Sequence, residues 1–306
     1  EMDQGRKGAI LTVTTVHGGA PRPVGTHMAV VSGKRFNGYL SGGGCVESAI
    51  ACEVEPVITA GRDAMLRFGK GSPLLDIRFP CGGGIDVLVH AGVTAELLEE
   101  TLDRMAKRSV FSTAFSPDYN DARIEDTAPP TGWLDKRFYR RYLPRTRLCL
   151  AGRGPELEAM TRLAVAAQYD VLVATPDKDM ARRLADMAVD VQCLNSTSAV
   201  WKRPDDPWTA TVLLFHEREW EDPLLAQALA GPGFYVGALG STRSHALRRE
   251  RLLSAGLSTP SVDRIRGPVG LIPAARDPET LALSVLAEIA VCRREADRLM
   301  DKQAGG

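Results

Sequence analysis

The chain has 306 residues, of which 44% are hydrophobic and 25% are charged, and its formal net charge is zero. This length allows about two domains with separate cores, and the zero net charge gives no bulk attraction to nucleic acid or to an anionic membrane. Six scattered cysteines without a C-x-x-C pair exclude a disulfide scaffold and argue against a structural zinc site. No apolar run approaches the ~20 residues of a membrane span, and the sequence has no signal-peptide pattern, so we expect a cytoplasmic protein.

The first third of the chain alternates β-rich runs with glycine loops and two amphipathic stretches. The pattern predicts strands at 9–16, 28–31, 77–79 and 85–91 and helices at 46–60 and 95–107, with Gly61 ending the first helix. These elements predict an α+β domain over residues 1–115.

Residues 116–145 differ in composition from the segments on both sides. Four prolines are mixed with aspartate, arginine and aromatic residues. This mixture predicts a linker with some local order, because Trp133 and Phe138 are too apolar for a free tether.

Residues 146–306 begin with a strand, a glycine turn, a helix and a second strand, which predicts a Rossmann-like parallel sheet. Gly152 and Gly154 take the first two glycine positions of the dinucleotide fingerprint, but Leu157 stands at the third. Thr175 stands where the ribose-binding acid is expected. NAD or NADP is therefore not expected, although the helix N-terminus after Gly154 suits a phosphate. The predicted fold class is α/β, an α+β domain followed by a Rossmann-like domain with C-terminal helices.

A second turn of this kind lies at Gly240 and Ser241, again between a strand and a helix. Arg243 and Arg248 follow on that helix, where arginine can pair bidentately with phosphate. A plain capped helix with a solvated basic face is the alternative. His216 follows another strand, at the sheet edge where open α/β sheets bind ligands, and is either a ligand-binding residue or part of a capped surface loop.

Two cysteines lie against glycine runs in the first domain. Cys45 follows 42–44 and Cys81 precedes 82–84, with a third glycine loop at 18–25. Glycine runs let backbone N–H groups surround an anion, and a thiol beside them can act as a thiolate, a metal ligand or a sulfur carrier. We therefore predict one binding site built from three loops, the alternative being small residues in tight turns.

Together these motifs resemble the XdhC/CoxI family over residues 9–92 and 146–292. The N-terminal motifs are Gly19-Ala20-Pro21-Arg22 with Gly25, Gly43-Gly44-Cys45-Val46-Glu47, and Cys81-Gly82-Gly83. The C-terminal motifs are Gly152-x-Gly154-Pro155, His216 with Asp222-Pro223, Tyr235-Val236-Gly237-Ala238-Leu239-Gly240-Ser241, Pro268-Val269-Gly270-Leu271, and Ala287-Glu288-Ile289. The chain departs from the family with Gly18-Gly19 in place of Gly-Ser and with Thr175-Pro176-Asp177 in place of Asp-x-Arg.

The resemblance implies a maturation factor for molybdenum hydroxylases such as xanthine dehydrogenase. Such a protein binds molybdenum cofactor, holds it while a cysteine desulfurase makes it sulfurated, and inserts it into the apo molybdenum hydroxylase. Catalysis by the chain itself is not expected. Two alternatives remain, an NAD(P)-dependent oxidoreductase and a docking adaptor without cofactor binding. The oligomeric state stays open, with a homodimer as one option.

The resemblance also assigns roles to individual residues. Arg22 is a candidate cation for the phosphate or pterin, or else a solvated loop residue. Glu47 either accepts hydrogen bonds from pterin N–H groups or places a negative charge at a helix N-terminus. Cys45 and Cys81 are the candidate molybdenum contacts. The full set of predicted cofactor-binding residues is Arg22, Gly43, Gly44, Cys45, Glu47, Cys81, Gly82, Gly83, Gly152, Gly154, His216, Gly240, Ser241 and Arg243.

The remaining cysteines and one carboxylate are interpreted as structural. Cys52, Cys149, Cys193 and Cys292 are expected in the core. Glu288 falls on an apolar helical stripe, where a carboxylate needs a partner.

Overall fold

A computed structural model describes residues 7–19, 22–43, 45–73, 79 and 82–304, without the side chains of 302–304. The chain divides into an N-terminal unit, Glu1–Pro144 with the last three residues, and a C-terminal unit, Arg145–Gln303.

The N-terminal unit is built on an antiparallel five-stranded sheet of order β3-β2-β1-β5-β4. Its elements in chain order are β1 (Gly8–His17), β2 (His27–Val31), β3 (Arg35–Gly38), α1 (Cys45–Glu53), α2 (Glu55–Ala60), β4 (Ala64–Gly69), β5 (Gly84–His90), α3 (Ala95–Ala106), β6 (Phe111–Ser116), β7 (Asp121–Glu125), β8 (Gly132–Leu134) and β9 (Arg137–Tyr142). Alternate strand residues such as Leu11 and Val87 face a buried core that Ile50 of α1 and Ile58 of α2 complete.

The helix predicted at 46–60 is divided into α1 and α2. Pro56 lies in the first turn of α2, where its missing N–H and its ring are tolerated, but a continuous helix through this position would be disrupted. Gly61 ends α2 in the left-handed conformation, with its N–H donating to the carbonyls of Val57 and Ile58, as predicted. Residues 77 and 78 of the strand predicted at 77–79 lie outside the described residues.

Residues 116–145, predicted as a linker, instead contain three strands of a second antiparallel sheet, of order β7-β6-β9-β8. Phe115 and Phe138 of this sheet are buried against Leu88 of the first sheet. Phe115 and Phe138 are therefore core residues whose buried apolar surface stabilises the sheet, whereas Trp133 is exposed. The linker prediction is corrected, because the N-terminal unit extends to Pro144.

The C-terminal unit contains a six-stranded parallel sheet of order β12-β11-β10-β13-β14-β15. Its elements are β10 (Arg147–Gly152), α4 (Gly154–Ala166), β11 (Asp170–Thr175), α5 (Lys178–Ala185), β12 (Asp190–Cys193), β13 (Thr209–Leu214), α6 (Arg218–Ala230), β14 (Tyr235–Ala238), α7 (Thr242–Ser254), α8 (Thr259–Asp263), β15 (Ile265–Arg266) and α9 (Pro278–Ala304). This is the Rossmann strand order, whose topological switch point falls between β10 and β13. The predicted α/β fold class is confirmed.

Both faces of the parallel sheet are covered, as its apolar strands require. Leu148 and Leu150 pack on one face of β10, and Cys149 and Ala151 pack on the other. Burial raises the pKa of the Cys149 thiol to about 11.

Glu288 of α9 has the partner that its position requires. Its Oε2 accepts hydrogen bonds from the Tyr235 hydroxyl at 2.7 Å and from the Gly270 N–H at 2.8 Å. Among the helices that the structure describes, none has the length and apolar character needed to span a bilayer.

Candidate functional site

The three glycine segments of the N-terminal unit leave the first sheet at the same end. β1 ends at His17, just before the 18–25 loop, and β3 ends at Gly38, shortly before the 42–44 run. β5 begins at Gly84, the last residue of the third glycine segment. Because β3, β2, β1 and β5 are antiparallel to their neighbours, these three points lie together at one sheet end.

Two of these segments are in direct backbone contact. His17 is paired with Gly84, and a Cβ atom placed on Gly83 would overlap the carbonyl oxygen of Gly19. The Gly83 carbonyl also accepts a hydrogen bond from the Lys70 N–H at 2.9 Å. Gly82 has a φ of 68°, in the left-handed region that favours glycine. The structure thus brings Gly82 and Gly83 to the first loop and explains why these positions need glycine.

A buried carboxylate holds the 41–43 segment in place. Oε1 of Glu47 accepts hydrogen bonds from the Ser41 N–H at 2.9 Å and from the Ser41 hydroxyl at 2.6 Å. Glu47 has no exposed surface, and its Oε2 has no hydrogen-bond partner among the described residues. Gly43 follows with a φ of 100°. Glu47 therefore fixes the loop from which α1 begins.

Cysteines in this unit differ from the predictions in part. Cys45 is the first residue of α1 and is exposed. Cys52 of the same helix is also exposed, so its predicted place in the core is wrong; it lies on the solvent side of a short amphipathic helix. Arg22 is exposed in the first loop. Gly44 and Cys81 lie outside the described residues.

A charged cluster that the sequence analysis missed lies beside the glycine loops. Arg67 donates to the Asp86 carboxylate through Nε at 2.6 Å and through Nη2 at 3.0 Å. Nε2 of His17 lies 2.8 Å from Asp86 Oδ2. The Arg67 guanidinium, followed by the His17 hydrogen bond, lowers the pKa of Asp86. The missed signal was Asp86 itself, since a carboxylate inside an apolar strand requires a partner.

The second sheet supports the first glycine loop. Nε of Arg140 donates to the Gly25 carbonyl at 2.7 Å, and the guanidinium lies over the Tyr142 ring, 4.9 Å from its centroid. Burial lowers the pKa of Arg140. The interpretation of residues 116–145 as a linker did not predict this contact.

In the C-terminal unit, the fingerprint turn lies at the switch point of the parallel sheet. A Cβ on Gly152 would be 2.6 Å from the Leu214 carbonyl oxygen, and Gly154 has a φ of 77°. Nη1 of Arg153 donates to Glu217 Oε1 at 3.0 Å, across the ends of β10 and β13. Oε2 of Glu156 lies 3.2 Å from the position of a Cβ on Gly154. The turn therefore has a Rossmann backbone but carries carboxylates.

The end of β11 does not offer a ribose acceptor. Thr175 is buried, and its hydroxyl accepts the Asp177 N–H at 3.2 Å. Oδ1 of Asp177 caps α5 by accepting the N–H groups of Asp179 and Met180. These backbone hydrogen bonds lower the pKa of Asp177. Asp177 thus has a capping role.

The second glycine turn has a different charge pattern. Ser241 caps α7, accepting the Ser244 N–H at 3.1 Å, and Arg243 and His216 are exposed. Arg248, which the sequence places on a basic face, points inward and pairs with the buried Glu221 at 2.7 Å.

The predicted residues fall into two sets, one in each unit. The N-terminal set contains Gly43, Cys45, Gly82 and Gly83, with Glu47 beneath the loop. The C-terminal set is distributed over the two glycine turns and His216. Within the described residues, no group of three or more His, Cys, Asp or Glu side chains is arranged to hold a metal ion.

Comparisons with known proteins assign both parts of the chain. The family profile of the XdhC and CoxI family matches residues 2–69, and that of the XdhC Rossmann domain matches residues 148–289. A crystal structure described as a xanthine dehydrogenase from Bacillus halodurans superposes with a TM-score of 0.77 at 20% identity, covering 95% of this chain and 92% of that one. This last similarity establishes the fold.

Two curated relatives cover nearly the whole chain. The molybdenum cofactor insertion chaperone PaoD of Escherichia coli K12 is 38% identical over 288 residues, 94% of this chain and 84% of PaoD. A Bacillus subtilis 168 protein, described as a probable subunit of xanthine dehydrogenase, is 24% identical over 340 residues, 96% of this chain and 95% of that protein. With both family profiles matched in order and a relative of 38% identity aligned along its length, the chain belongs to the XdhC/CoxI family.

Proposed function

We propose that this protein is a molybdenum cofactor chaperone, which holds the cofactor for sulfuration and inserts it into a molybdenum hydroxylase of the xanthine dehydrogenase class. The observation that carries the proposal is the convergence of three glycine segments at one end of the first sheet, with Cys45 exposed beside them. The name of the 38% identical relative, a molybdenum cofactor insertion chaperone, supports the choice of cargo.

The residues present fit a cargo with a pterin and an anionic end. Gly82 is exposed, its N–H donates to the Phe79 carbonyl at 2.9 Å, and Gly83 packs against Gly19, so this segment brings backbone without side chains to the edge of the site. Glu47 is fully buried, so its part in the proposal is to hold the 41–43 loop beside Cys45 and not to contact the pterin. Arg22 supplies an exposed positive charge in the first loop.

The bound cargo supplies a molybdenum centre that receives sulfur, and the chain's own residues bind and orient it. Cys45, and Cys81 by its sequence position, would contact molybdenum from the loops. The phosphate would lie at one of the two glycine turns of the C-terminal unit, Gly152 to Gly154 or Gly240 to Ser241, because helix N-termini favour anions.

The proposed partners follow from this role. An apo molybdenum hydroxylase receives the cofactor, and a cysteine desulfurase supplies the sulfur. Both encounters would take place in the cytoplasm, and a homodimer is compatible with this role.

The experiment is gentle anaerobic purification of the full chain from cells that make the cofactor, with bound pterin measured by fluorescence after oxidation. We expect the wild type to retain molybdenum cofactor and the double variant Cys45→Ser, Cys81→Ser to lose it. Cys52→Ser is the matched control, because Cys52 is also exposed on α1.

Absence of pterin from the wild type would reject the proposal. If the double variant retained the cofactor fully and activated the hydroxylase fully, the two thiols would have no part in the proposed function. That result would favour a docking adaptor in which the glycine runs are structural.

A further inference from the structure

The second glycine turn opens onto a cavity of about 260 Å³, which lies between the start of α6 and the N-terminus of α7. Phe215 and Leu239, the residues that follow β13 and β14, also line it. The polar side of the cavity is formed by His216, Arg218, Glu221, Gly240, Ser244, Arg248 and Arg251.

We propose that this cavity is the phosphate site of the protein, binding the phosphate monoester end of the cofactor, and that the fingerprint turn at Gly152 is not. The assignment of the phosphate to the cofactor rests on the proposed function. The inference that the cavity binds phosphate is independent of that function and is argued from the residues that line the cavity.

Three arginines and one carboxylate, Glu221, line the cavity, so its charges favour an anion. Arg248 is paired with Glu221, and Arg251 is paired with Asp222 through two hydrogen bonds of 2.9 and 2.8 Å. Arg218 also lines the cavity, is exposed, and makes no ion pair among the described residues. Its positive charge is therefore left for a ligand.

A buried arginine gives a second, independent indication. Arg248 is only 2% exposed, yet its Nε has no hydrogen-bond partner among the described residues. The Nη2 atom of the same guanidinium donates to the Leu239 carbonyl at 2.6 Å, immediately before Gly240. A buried donor without an acceptor is costly, and a phosphate oxygen in the cavity is the type of group that would satisfy it.

The helix above the cavity is also free of negative charge at its start. The first turn of α7 contains no acidic residue, whereas the first turn of α4 contains Glu156, whose carboxylate lies against Gly154. A helix N-terminus attracts anions, and a carboxylate already there competes for the same N–H groups and repels a phosphate. Glu217 adds a second carboxylate beside the fingerprint turn. The two turns thus share a backbone pattern but differ in charge.

The test is calorimetric titration of the full chain with inorganic phosphate at fixed ionic strength, with chloride as the blank. Arg218→Ala and Ser244→Ala change exposed side chains, so folding should be kept, and each should raise the phosphate Kd about tenfold. Arg153→Ala at the fingerprint turn and Arg162→Ala in an exposed pair on α4 should leave the Kd within about twofold.

Three results would overturn the assignment: no phosphate heat above the chloride blank, an equal effect of all four variants, or a larger effect of Arg153→Ala than of Arg218→Ala. Pterin retention by the same variants separates this inference from the proposed function. Arg218-dependent phosphate binding without retained cofactor in the wild type would reject the cofactor role and keep the cavity. Retained cofactor with phosphate binding insensitive to Arg218 would reject the cavity and keep the role.

Discussion

Glu47 is a fully buried carboxylate at the start of α1, and its hydrogen bonds define the loop beside the exposed Cys45. Both bonds run to Ser41, which is itself 2% exposed, so the N–H and hydroxyl of Ser41 have little access to water. A buried donor that loses its acceptor bears the full cost of desolvation. The glycine run that follows has no side chains to fix it, and the hydrogen bonds between Glu47 and Ser41 hold it in one conformation instead.

Glu47→Ala should lower the free energy of unfolding by about 3 kcal/mol, because two hydrogen bonds to a charged group are lost and their donors stay buried. Glu47→Gln, which keeps an acceptor oxygen, should lose less. Urea unfolding measures both, with Glu53→Ala at the exposed end of α1 as the control. An unfolding free energy of Glu47→Ala within about 0.5 kcal/mol of the control, a typical surface effect, would contradict the anchoring role.

His27 introduces a pH dependence into the N-terminal unit. Its Nδ1 lies 2.9 Å from the Thr12 hydroxyl and its Nε2 lies 2.9 Å from the Tyr142 hydroxyl. Burial, with a smaller contribution from the nearby Arg140 charge, lowers the pKa of His27 from 6.5 to about 4. The folded protein therefore keeps a neutral imidazole at pH values where the unfolded chain is protonated.

Between pH 6.5 and about 4 the unfolded state binds a proton that the folded state does not, so stability falls as the pH falls. From about pH 7 to about pH 4.5 the wild type should lose about 2–3 kcal/mol more than His27→Gln, at roughly 1.36 kcal/mol per pKa unit. The carboxylates titrate in both proteins, so the difference isolates His27. Urea unfolding at the two pH values gives this difference, and equal losses would show that another group is responsible.

At the scale of elements, the second sheet is the support of the first glycine loop. Gly25 has a φ of 84°, and a Cβ there would lie 2.8 Å from both Arg140 Cδ and Thr131 Cγ2. Gly33, in the turn between β2 and β3, has a similar φ of 92° but nothing within 4 Å of its Cβ position. Substituting each glycine by alanine therefore distinguishes the cost of backbone strain, present at both positions, from the cost of packing against β9, present only at Gly25.

Gly33→Ala should cost about 1 kcal/mol of stability for its left-handed backbone alone. Gly25→Ala should cost about 2–4 kcal/mol, because overpacking against Arg140 and Thr131 adds to the same strain. Urea unfolding of the two variants compares them directly. Equal costs would mean that the second sheet yields to the added methyl group and does not hold the loop.

These elements also show what the sequence could and could not predict. The strand, turn and helix order of residues 146–306 predicted the Rossmann sheet, because buried parallel strands are visible in the sequence as short continuous apolar runs. β3 and β4 were missed, since β3 has no buried residue and β4 has one. The glycine loops were predicted as one site, but the His17, Arg67 and Asp86 cluster depends on register across three strands, which no local pattern contains.

At the scale of the whole molecule, the two units differ in the backbone features that are suited to ligand binding. The N-terminal unit places glycine loops at one end of an antiparallel sheet, and the C-terminal unit has a complete Rossmann strand order. The second feature alone favours a dinucleotide enzyme, yet fold does not imply function. The side chains at the strand ends decide between these classes.

The side chains at the fingerprint turn and at the end of β11 are unfavourable for dinucleotide binding. Leu157 is fully buried in place of the third fingerprint glycine, Glu156 lies against Gly154, and Asp177 is engaged in capping α5. Calorimetric titration of the full chain with NAD and with NADP should therefore show no micromolar affinity. Because two carboxylates, Glu156 and Glu217, flank the turn, Glu156→Gln alone should not create such affinity. Micromolar binding of either dinucleotide to the wild type would instead favour the oxidoreductase alternative, since the chain would then hold a hydride carrier.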